Sequence, residues 1–285
     1  MVRKRFREKV VFWVLMALTL LFSGFPFLVI LSVSLKPAGT ETVYPPRLIP
    51  RDITLDHYLG ILDPNLFPFL TYFKNSLVVS ALSASLAVVV AIFGAYAFAR
   101  LRFAGRELIQ RGVLFIYMFS GTLLVVPYFK MVVGFQDATG IPLVDTKTIL
   151  VLTYLIFTMP VSLYMLGNYF RSIPADIEEA ALIDGCSRVS SIWRIILPLS
   201  VPAIAAVFIY AFMIAWNEYL FALVFLFSPE NLTLPRGLSE LYNTQHYIWG
   251  RMMAASLLTA APVVALFLGL EKFMVGSLTY GAVKE

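Results

Sequence analysis

A run of uncharged, mostly apolar residues from Val10 to Leu35 limits what this 285-residue chain can fold into. It exceeds the roughly 20 helical residues that cross about 30 Å of hydrocarbon, and it is too long for the apolar part of a secretory signal. We therefore predict a retained membrane-spanning helix. The composition agrees, since 60% of the residues are hydrophobic and only 14% are charged, which is too apolar for a surface that faces water.

Five further apolar runs predict five more membrane spans. They cover residues 75–99, 112–129, 148–170, 198–227 and 252–270. Glu218 is the only charged residue in them, and Pro127 is expected to kink the third near its end. An open sheet edge is not stable in lipid, and no run alternates as a barrel strand does. The sequence thus predicts an all-α polytopic membrane protein with six transmembrane helices.

The basic residues predict the orientation of these helices. Fourteen of the 22 Lys and Arg residues fall in one alternating set of connections: the N-terminus, residues 100–111, residues 171–197 and the C-terminal tail. Basic loops stay in the cytoplasm, so we predict a multi-pass protein of the cytoplasmic membrane with both termini inside. The net charge of +5 is explained by this distribution, without nucleic acid. The remaining connections are then extracytoplasmic, and two of them, 36–72 and 228–250, are either solvated connectors or contacts for a partner.

Side chains that carry catalysis or bind metals are scarce. Cys186 is the only cysteine, and His57 and His246 fall in separate outer segments. There is no phosphate-binding loop ending in Gly-Lys-Ser or Gly-Lys-Thr. We predict no catalytic residues, no metal site and no cofactor bound by this chain.

The cytoplasmic segment 171–198 is longer and more amphipathic than a simple connection requires. Pro174 favours a helix start, and the acidic residues that follow complement the helix dipole. Gly185 permits a sharp turn, Ser187 is suited to cap a second short helix, and Pro198 is expected to end that helix and open the fifth span. We predict a compact pair of short helices that docks into a groove on another protein.

One motif in this segment carries a family resemblance. Glu179-Ala180-Ala181 is followed after three residues by Gly185, and nine residues further by Ile195-x-Leu197-Pro198. This pattern resembles the EAA signature of ATP-binding-cassette (ABC) importer permeases. The resemblance implies a type I ABC importer fold, in which a coupling helix between helices 4 and 5 sits in a cleft of the ATPase. The residues it assigns to this coupling are Glu179, Ala180, Ala181, Asp184, Gly185, Ile195, Leu197 and Pro198.

Further matches are similar to carbohydrate importers of the maltose and trehalose type, and within them to the smaller maltose permease. They are Asn75-Ser76-Leu77, Tyr96-Ala97-Phe98-Ala99-Arg100, Trp216-Asn217-Glu218 and Gly281-Ala282-Val283-Lys284. Glu285 departs from the family, which commonly ends in glycine. The resemblance implies a transmembrane domain over 72–275, preceded by the first helix and outer loop in 1–71 and followed by a cytoplasmic tail, 276–285.

The resemblance also implies partners and a function. They are a second permease in a heterodimer, two cytoplasmic ATPase subunits that bind ATP and Mg, and an extracytoplasmic binding protein that delivers a di- or oligosaccharide. An importer of another solute, such as glycerol phosphate, remains an alternative. An ion-coupled secondary transporter would need several membrane-embedded charges, and a membrane-bound enzyme would need clustered His, Asp or Glu at one interface.

Glu218 lies deep within a predicted span, where a charge costs about 2.5 to 3.5 kcal/mol. It therefore requires a partner. One interpretation places Glu218, with Asn217 and Trp216, on the translocation path, where carboxylate and amide groups suit sugar hydroxyls and an indole offers a stacking face. The other is a hydrogen bond to another helix or to the partner permease.

Overall fold

The structure, a computed structural model, describes residues 2–41, 43–44, 47–119, 121–242 and 249–280, with side chains for 9–241 and 249–273 of these. Within these ranges the chain is helical and has no β-strand, so the predicted all-α fold is confirmed. The predicted tail motif Gly281 to Lys284, and His246, lie outside the described residues.

Among the described residues, four helices are long and apolar enough to cross a membrane, and two bent helix pairs pass the same test as single spans. The four are α1 (Val2–Ser34), α3 (Phe69–Arg100), α6 (Lys147–Ser172) and α13 (Trp249–Tyr280). One pair is α4 (Arg106–Tyr117) with α5 (Gly121–Thr139); the other joins α8 (Arg188–Ser191), a π-helical stretch (Ile192–Ile196) and α9 (Leu197–Leu199) to α10 (Val201–Asn217). The shorter helices are α2 (Asp56–Leu62), α7 (Ala175–Ile183), α11 (Leu220–Phe225) and α12 (Leu234–Tyr242). The six predicted spans therefore correspond to four whole helices and two bent pairs.

The third span differs from the single helix predicted over 112–129. Helix α4 ends at Tyr117, and α5 begins at Gly121 and continues to Thr139 with Pro127 inside it. The span therefore neither begins at Gly112 nor ends near Pro127. The prediction rested on the absence of charge, and the residues next to the break, 113–126, are all uncharged, so that criterion cannot detect it.

The fifth span also differs from its prediction, because Pro198 does not open it. Pro198 lies inside α9, and the chain bends by 81° before α10 begins at Val201. Pro202, at the start of α10, explains the position of the bend. In a continuous helix its ring would clash with the carbonyl group of Pro198, four residues earlier, and its nitrogen has no proton to donate.

The chain forms two compact units, of which the first contains residues 1–70 and 238–261. Within it, none of the most apolar window of α1 is buried. His57, on α2, is only 2% exposed, and its Nε2 donates a hydrogen bond to the Lys36 carbonyl oxygen at 2.8 Å and lies 3.5 Å from a carboxylate oxygen of Glu41. A side chain at Gly250 would collide with the His57 ring. His57 thus holds the outer segment in place.

The second unit contains residues 71–237 and 262–285. Its core lies where α3, α6, the π-helical stretch and α10 meet. The core residues are Val88, Ala91, Ile92, Ala95, Tyr96, Leu166, Phe170, Ile173, Ile192, Ile196 and Val207. The α3 members recur at intervals of three and four residues, which gives the helix one buried stripe. Because this core includes the π-helical stretch, it anchors the base of the segment 171–198.

At the other end of α6, Asp145 fixes the loop that follows α11. Its carboxylate accepts hydrogen bonds from the backbone N–H groups of Phe227 (2.9 Å) and Ser228 (3.0 Å) and from the Ser228 hydroxyl. Burial alone would raise the pKa of Asp145, but these hydrogen bonds outweigh burial and lower it. The ionised carboxylate is therefore a structural part of this end of the unit.

The Asn75-Ser76-Leu77 motif has a structural role at the same end. The Asn75 amide donates to the carbonyl groups of Glu230 (2.8 Å) and Leu232 (2.9 Å), and its oxygen accepts from Lys147 Nζ at 2.9 Å. The Ser76 hydroxyl oxygen accepts from the backbone N–H of Leu234 at 2.7 Å. The motif thus joins the beginnings of α3, α6 and α12.

Candidate functional site

The first helix within the segment 171–198 is α7, which starts directly after Pro174 as predicted. The helix ends in a Schellman motif: the N–H of Gly185 donates to the Leu182 carbonyl (3.2 Å), and the N–H of Cys186 donates to the Ala181 carbonyl (3.0 Å). Gly185 has φ +87°, a left-handed conformation that residues with a Cβ rarely adopt. The predicted sharp turn at this glycine is confirmed.

The second helix of the segment is capped as predicted and then continues as a π-helix. The Ser187 hydroxyl oxygen accepts a hydrogen bond from the Ser190 N–H at 3.2 Å. The following π-helical turn is a rare form that is often found at functional sites. It directs Ile192 (4% exposed) and Ile196 (0%) into the core. These two isoleucines anchor the segment to the second unit.

The residues that the EAA resemblance assigned to coupling lie on both faces of the segment. Glu179, Ala180, Asp184, Gly185 and Pro198 are exposed, Ile195 and Leu197 are half-buried, and Ala181 is buried. The exposed members can contact another protein, whereas Ala181 packs inward. Their role in coupling stays a prediction.

Glu178 connects the segment to α3. It is 4% exposed, and one carboxylate oxygen lies 3.1 Å from Arg100 Nε while the other accepts a hydrogen bond from the Tyr96 hydroxyl. Arg100 also donates to the Ile173 carbonyl at 2.7 Å. The ends of α3 and α6 and the beginning of α7 are therefore held by one polar cluster.

Sequence reasoning missed the role of Glu178 and counted it only as a charge in the first turn of α7. The available signal was helical phase, since Glu178 and the small Ala181 are three residues apart and share one face. Tyr96 and Arg100 belong to a motif that the family resemblance had already singled out at the end of α3. Only the structure shows that this motif and Glu178 meet.

The opposite side of the segment is apolar and open. Ile183 is 85% exposed, and Val189 and Trp193 are each 60% exposed. A cluster of exposed apolar groups is typical of an interaction surface. The segment is thus fixed to the spans on one side and exposed and apolar on the other.

Glu218 lies at the break between α10 and α11. One carboxylate oxygen accepts from the N–H of Phe221 (2.9 Å), and the other accepts from the N–H of Ala222 (3.2 Å) and from the Tyr154 hydroxyl on α6 (2.8 Å). Glu218 thus caps α11 and bonds another helix, as one of its two interpretations expects. It also lines a cavity. The other interpretation, a place on the translocation path, stays a prediction.

The two neighbours of Glu218 in the predicted path motif have different surroundings. Trp216 is 2% exposed, stacks on Phe212 with ring centroids 5.6 Å apart, and meets Phe73 edge-on at the same distance. Asn217 is exposed, and its amide donates to the Met213 carbonyl at 2.8 Å. Their roles in a translocation path stay predictions.

The apolar helical spans and the braced segment 171–198 define a polytopic α-helical membrane protein. The sequence profile of the family described as "Binding-protein-dependent transport system inner membrane component" matches residues 1–274. The chain belongs to this family. It is therefore an inner-membrane component of a binding-protein-dependent transport system.

Individual relatives match almost end to end. The chain is 47% identical over 281 residues to the inner membrane ABC transporter permease protein YcjP of Escherichia coli K12, covering 99% of this chain and 98% of YcjP. It is 36% identical over 272 residues to the trehalose/maltose transport system permease protein MalG of Thermococcus litoralis, covering 95% and 94%. A crystal structure of a bacterial ABC transporter that imports the acidic polysaccharide alginate matches with a TM-score of 0.75 at 22% identity, covering 95% of this chain and 98% of that one. This last likeness shows a shared fold.

Proposed function

We propose that the chain is one of two permeases in an ATP-driven importer of a di- or oligosaccharide. A binding protein delivers the sugar, and two partner ATPases, which bind ATP and Mg, drive transport through the segment 171–198. The observation that carries this proposal is that one side of the segment is bonded to the spans while its other side is apolar and exposed. Glu178 and Ile196 fix it to the spans, whereas Ile183 and Trp193 face outward.

This build suggests how force is transmitted. A partner that moves the exposed face of α7 pulls on α3 through Glu178 and Arg100. The same movement reaches α10 through the π-helical stretch, because Ile192 and Ile196 are packed in the core. Close-packed cores switch between discrete arrangements rather than deforming gradually, so a small displacement of the segment can move the spans as bodies.

The sugar assignment is supported by relatives, and the orientation by charge. The 36% identical relative is a trehalose/maltose transport permease, and its similarity covers 95% of this chain. The excess of Lys and Arg in 1–9, 100–111 and 171–197 supports cytoplasmic termini and a cytoplasmic segment. That side is where ATPases have access to ATP.

The coupling proposal is tested with Gly185→Val in the complete transporter, reconstituted in vesicles. Valine at φ +87° costs roughly 1 to 3 kcal/mol of strain, so the turn changes shape where the ATPase docks. We expect the protein to insert normally while sugar uptake per ATP hydrolysed falls about 10-fold, the equivalent of about 1.4 kcal/mol.

Gly105 provides a matched control. It has φ +84° and, like Gly185, open space around the position of a Cβ, but it lies in the other cytoplasmic connection, before α4. Gly105→Val therefore imposes the same backbone strain outside the segment 171–198, and uptake per ATP should stay near the wild-type value. Normal coupling in Gly185→Val, or equal loss in both variants, contradicts the assignment.

A further inference from the structure

A cavity of about 320 Å³ opens where Glu218 interrupts the fifth span. Its walls come from α4, α5, α6, α10 and α11. The lining residues are Tyr117, Gly121, Thr122, Tyr154, Phe157, Tyr210, Ile214, Glu218, Leu220 and Phe221. Tyr154 lies seven residues into α6, which is roughly 10 Å along the helix axis from Lys147. The cavity is thus in the half of the spans that the charge distribution assigns to the outer side.

The polar groups of the cavity retain capacity for hydrogen bonds. Tyr117 and Tyr210 both line the cavity, and each hydroxyl offers one donor and two acceptor sites. The Glu218 carboxylate has about four lone-pair positions, and the N–H groups of Phe221 and Ala222 and the Tyr154 hydroxyl occupy three. The Glu218 side chain is half-buried and lines the cavity, so its carboxylate is accessible to a donor from a ligand.

The apolar part of the cavity is a tight aromatic wall. The rings of Phe157 and Phe221 lie with centroids 4.9 Å apart, tilted by 39°. A Cβ at Gly121 would come within 3.0 Å of Phe157 and 3.4 Å of Phe221, so this glycine lets the backbone of α5 approach the rings. A site with aromatic walls and a few convergent hydroxyl and carboxylate groups is suited to a ring that has apolar faces and hydroxyl edges.

We propose that this cavity is a binding subsite for one pyranose ring of the transported sugar, contributed by this subunit. Glu218 and the hydroxyls of Tyr117 and Tyr210 bind the sugar hydroxyls, and the wall formed by Phe157 and Phe221 receives the face of the ring. The volume lies at the lower end of the roughly 300 to 1,000 Å³ of ligand pockets, which fits one ring rather than a whole oligosaccharide. This inference rests on the proposed sugar-import function.

The first test fills the cavity in the complete transporter, reconstituted in vesicles with its binding protein. Radiolabelled maltose and trehalose are the probes. Thr122 is exposed and lines the cavity, so Thr122→Trp occupies space without removing a core group. We expect uptake to fall at least about 10-fold, as for a lost contact worth 1.4 kcal/mol, while ATP hydrolysis stimulated by the sugar-loaded binding protein persists.

The second test compares two Tyr→Phe substitutions by the ratio of maltose to trehalose uptake, which does not depend on the amount of folded protein. In Tyr210→Phe the subsite loses one hydroxyl, and a hydrogen bond worth about 0.5 to 1.5 kcal/mol corresponds to a roughly 2- to 10-fold change in that ratio. Tyr128→Phe is the control: its hydroxyl bonds Thr153 at 3.1 Å and it is not part of the cavity lining. The control should keep the wild-type ratio.

The outcomes separate the subsite from the function on which it rests. If the wild-type transporter imports neither sugar, the assignment to this sugar class fails, and the subsite fails with it. If the wild type imports sugar but Thr122→Trp transports normally, or Tyr210→Phe keeps the same ratio as Tyr128→Phe, only the subsite is overturned. Loss of both uptake and ATP hydrolysis in Thr122→Trp also counts against it, because a filled subsite leaves the ATPase working.

Discussion

At the residue scale, two adjacent glutamates in α7 have opposite surroundings. Glu178 is 4% exposed and contacts Arg100 and Tyr96, whereas Glu179 is exposed. The two side chains are chemically identical. They differ only in the direction in which α7 points them, since Glu178 faces α3 and Glu179 does not. For that reason the family motif, which begins at Glu179, identified the surface that can dock but not the contact that holds the helix.

This difference predicts unequal losses of stability. Glu178→Ala leaves Arg100, whose side chain is 12% exposed, without its carboxylate, and breaking a buried pair costs about 3 kcal/mol. We expect the unfolding temperature of the purified protein to fall by several degrees. Glu179→Ala, one position along, should change the free energy of unfolding by less than about 0.5 kcal/mol. Equal unfolding temperatures for the two variants would show that the polar cluster does not hold α7.

At the element scale, the sequence predicted what depends on composition and turn chemistry. Absence of charge located the spans, Pro174 and Ser187 located the starts of two short helices, and the positive φ of Gly185 matched the predicted turn. The breaks inside the third and fifth spans were not predicted. The residues next to the bends, 113–126 and 197–201, carry no charge, so the absence of charge could not locate these breaks.

The bend before α10 yields an element-scale prediction about Pro202. Pro202→Ala restores a backbone N–H and removes the clash with the carbonyl of Pro198, so the run from Arg188 can continue into α10. Spin labels at positions 193 and 213, both exposed in the wild type, report the change. With the 81° bend their backbone positions are roughly 24 Å apart, and in a straight helix roughly 30 Å.

Pro262→Ala is the control for that measurement. Pro262 lies inside α13, which continues uninterrupted on both sides, so its replacement should leave the distance between the labels unchanged. The labels are introduced with Cys186→Ser, since Cys186 is the only native cysteine. An unchanged distance in Pro202→Ala would mean that packing of Ile192 and Ile196, rather than the proline, sets the bend.

At the scale of the whole molecule, the chain has apolar surface that it does not bury itself. None of the most apolar window of α1 is buried within the described structure, compared with 50% of the corresponding window of α6. Lipid or a second permease must cover such a helix, because water cannot. The same holds for Ile183 and Trp193 in the segment 171–198, which the proposed ATPase covers.

All of these assignments depend on which side of the membrane each end of α6 faces. Ile141, before α6, is 52% exposed, and Ile183, after it, is 85% exposed, so both are accessible positions for a cysteine. The background for both variants is Cys186→Ser. In cells whose outer envelope is permeabilised and whose inner membrane is intact, Ile141→Cys should react with a membrane-impermeant thiol reagent. Ile183→Cys should react only after the inner membrane is made permeable. The excess of Lys and Arg in the set of connections that includes 171–197 predicts this order, and the reverse labelling pattern would place the segment away from ATP and remove its coupling role.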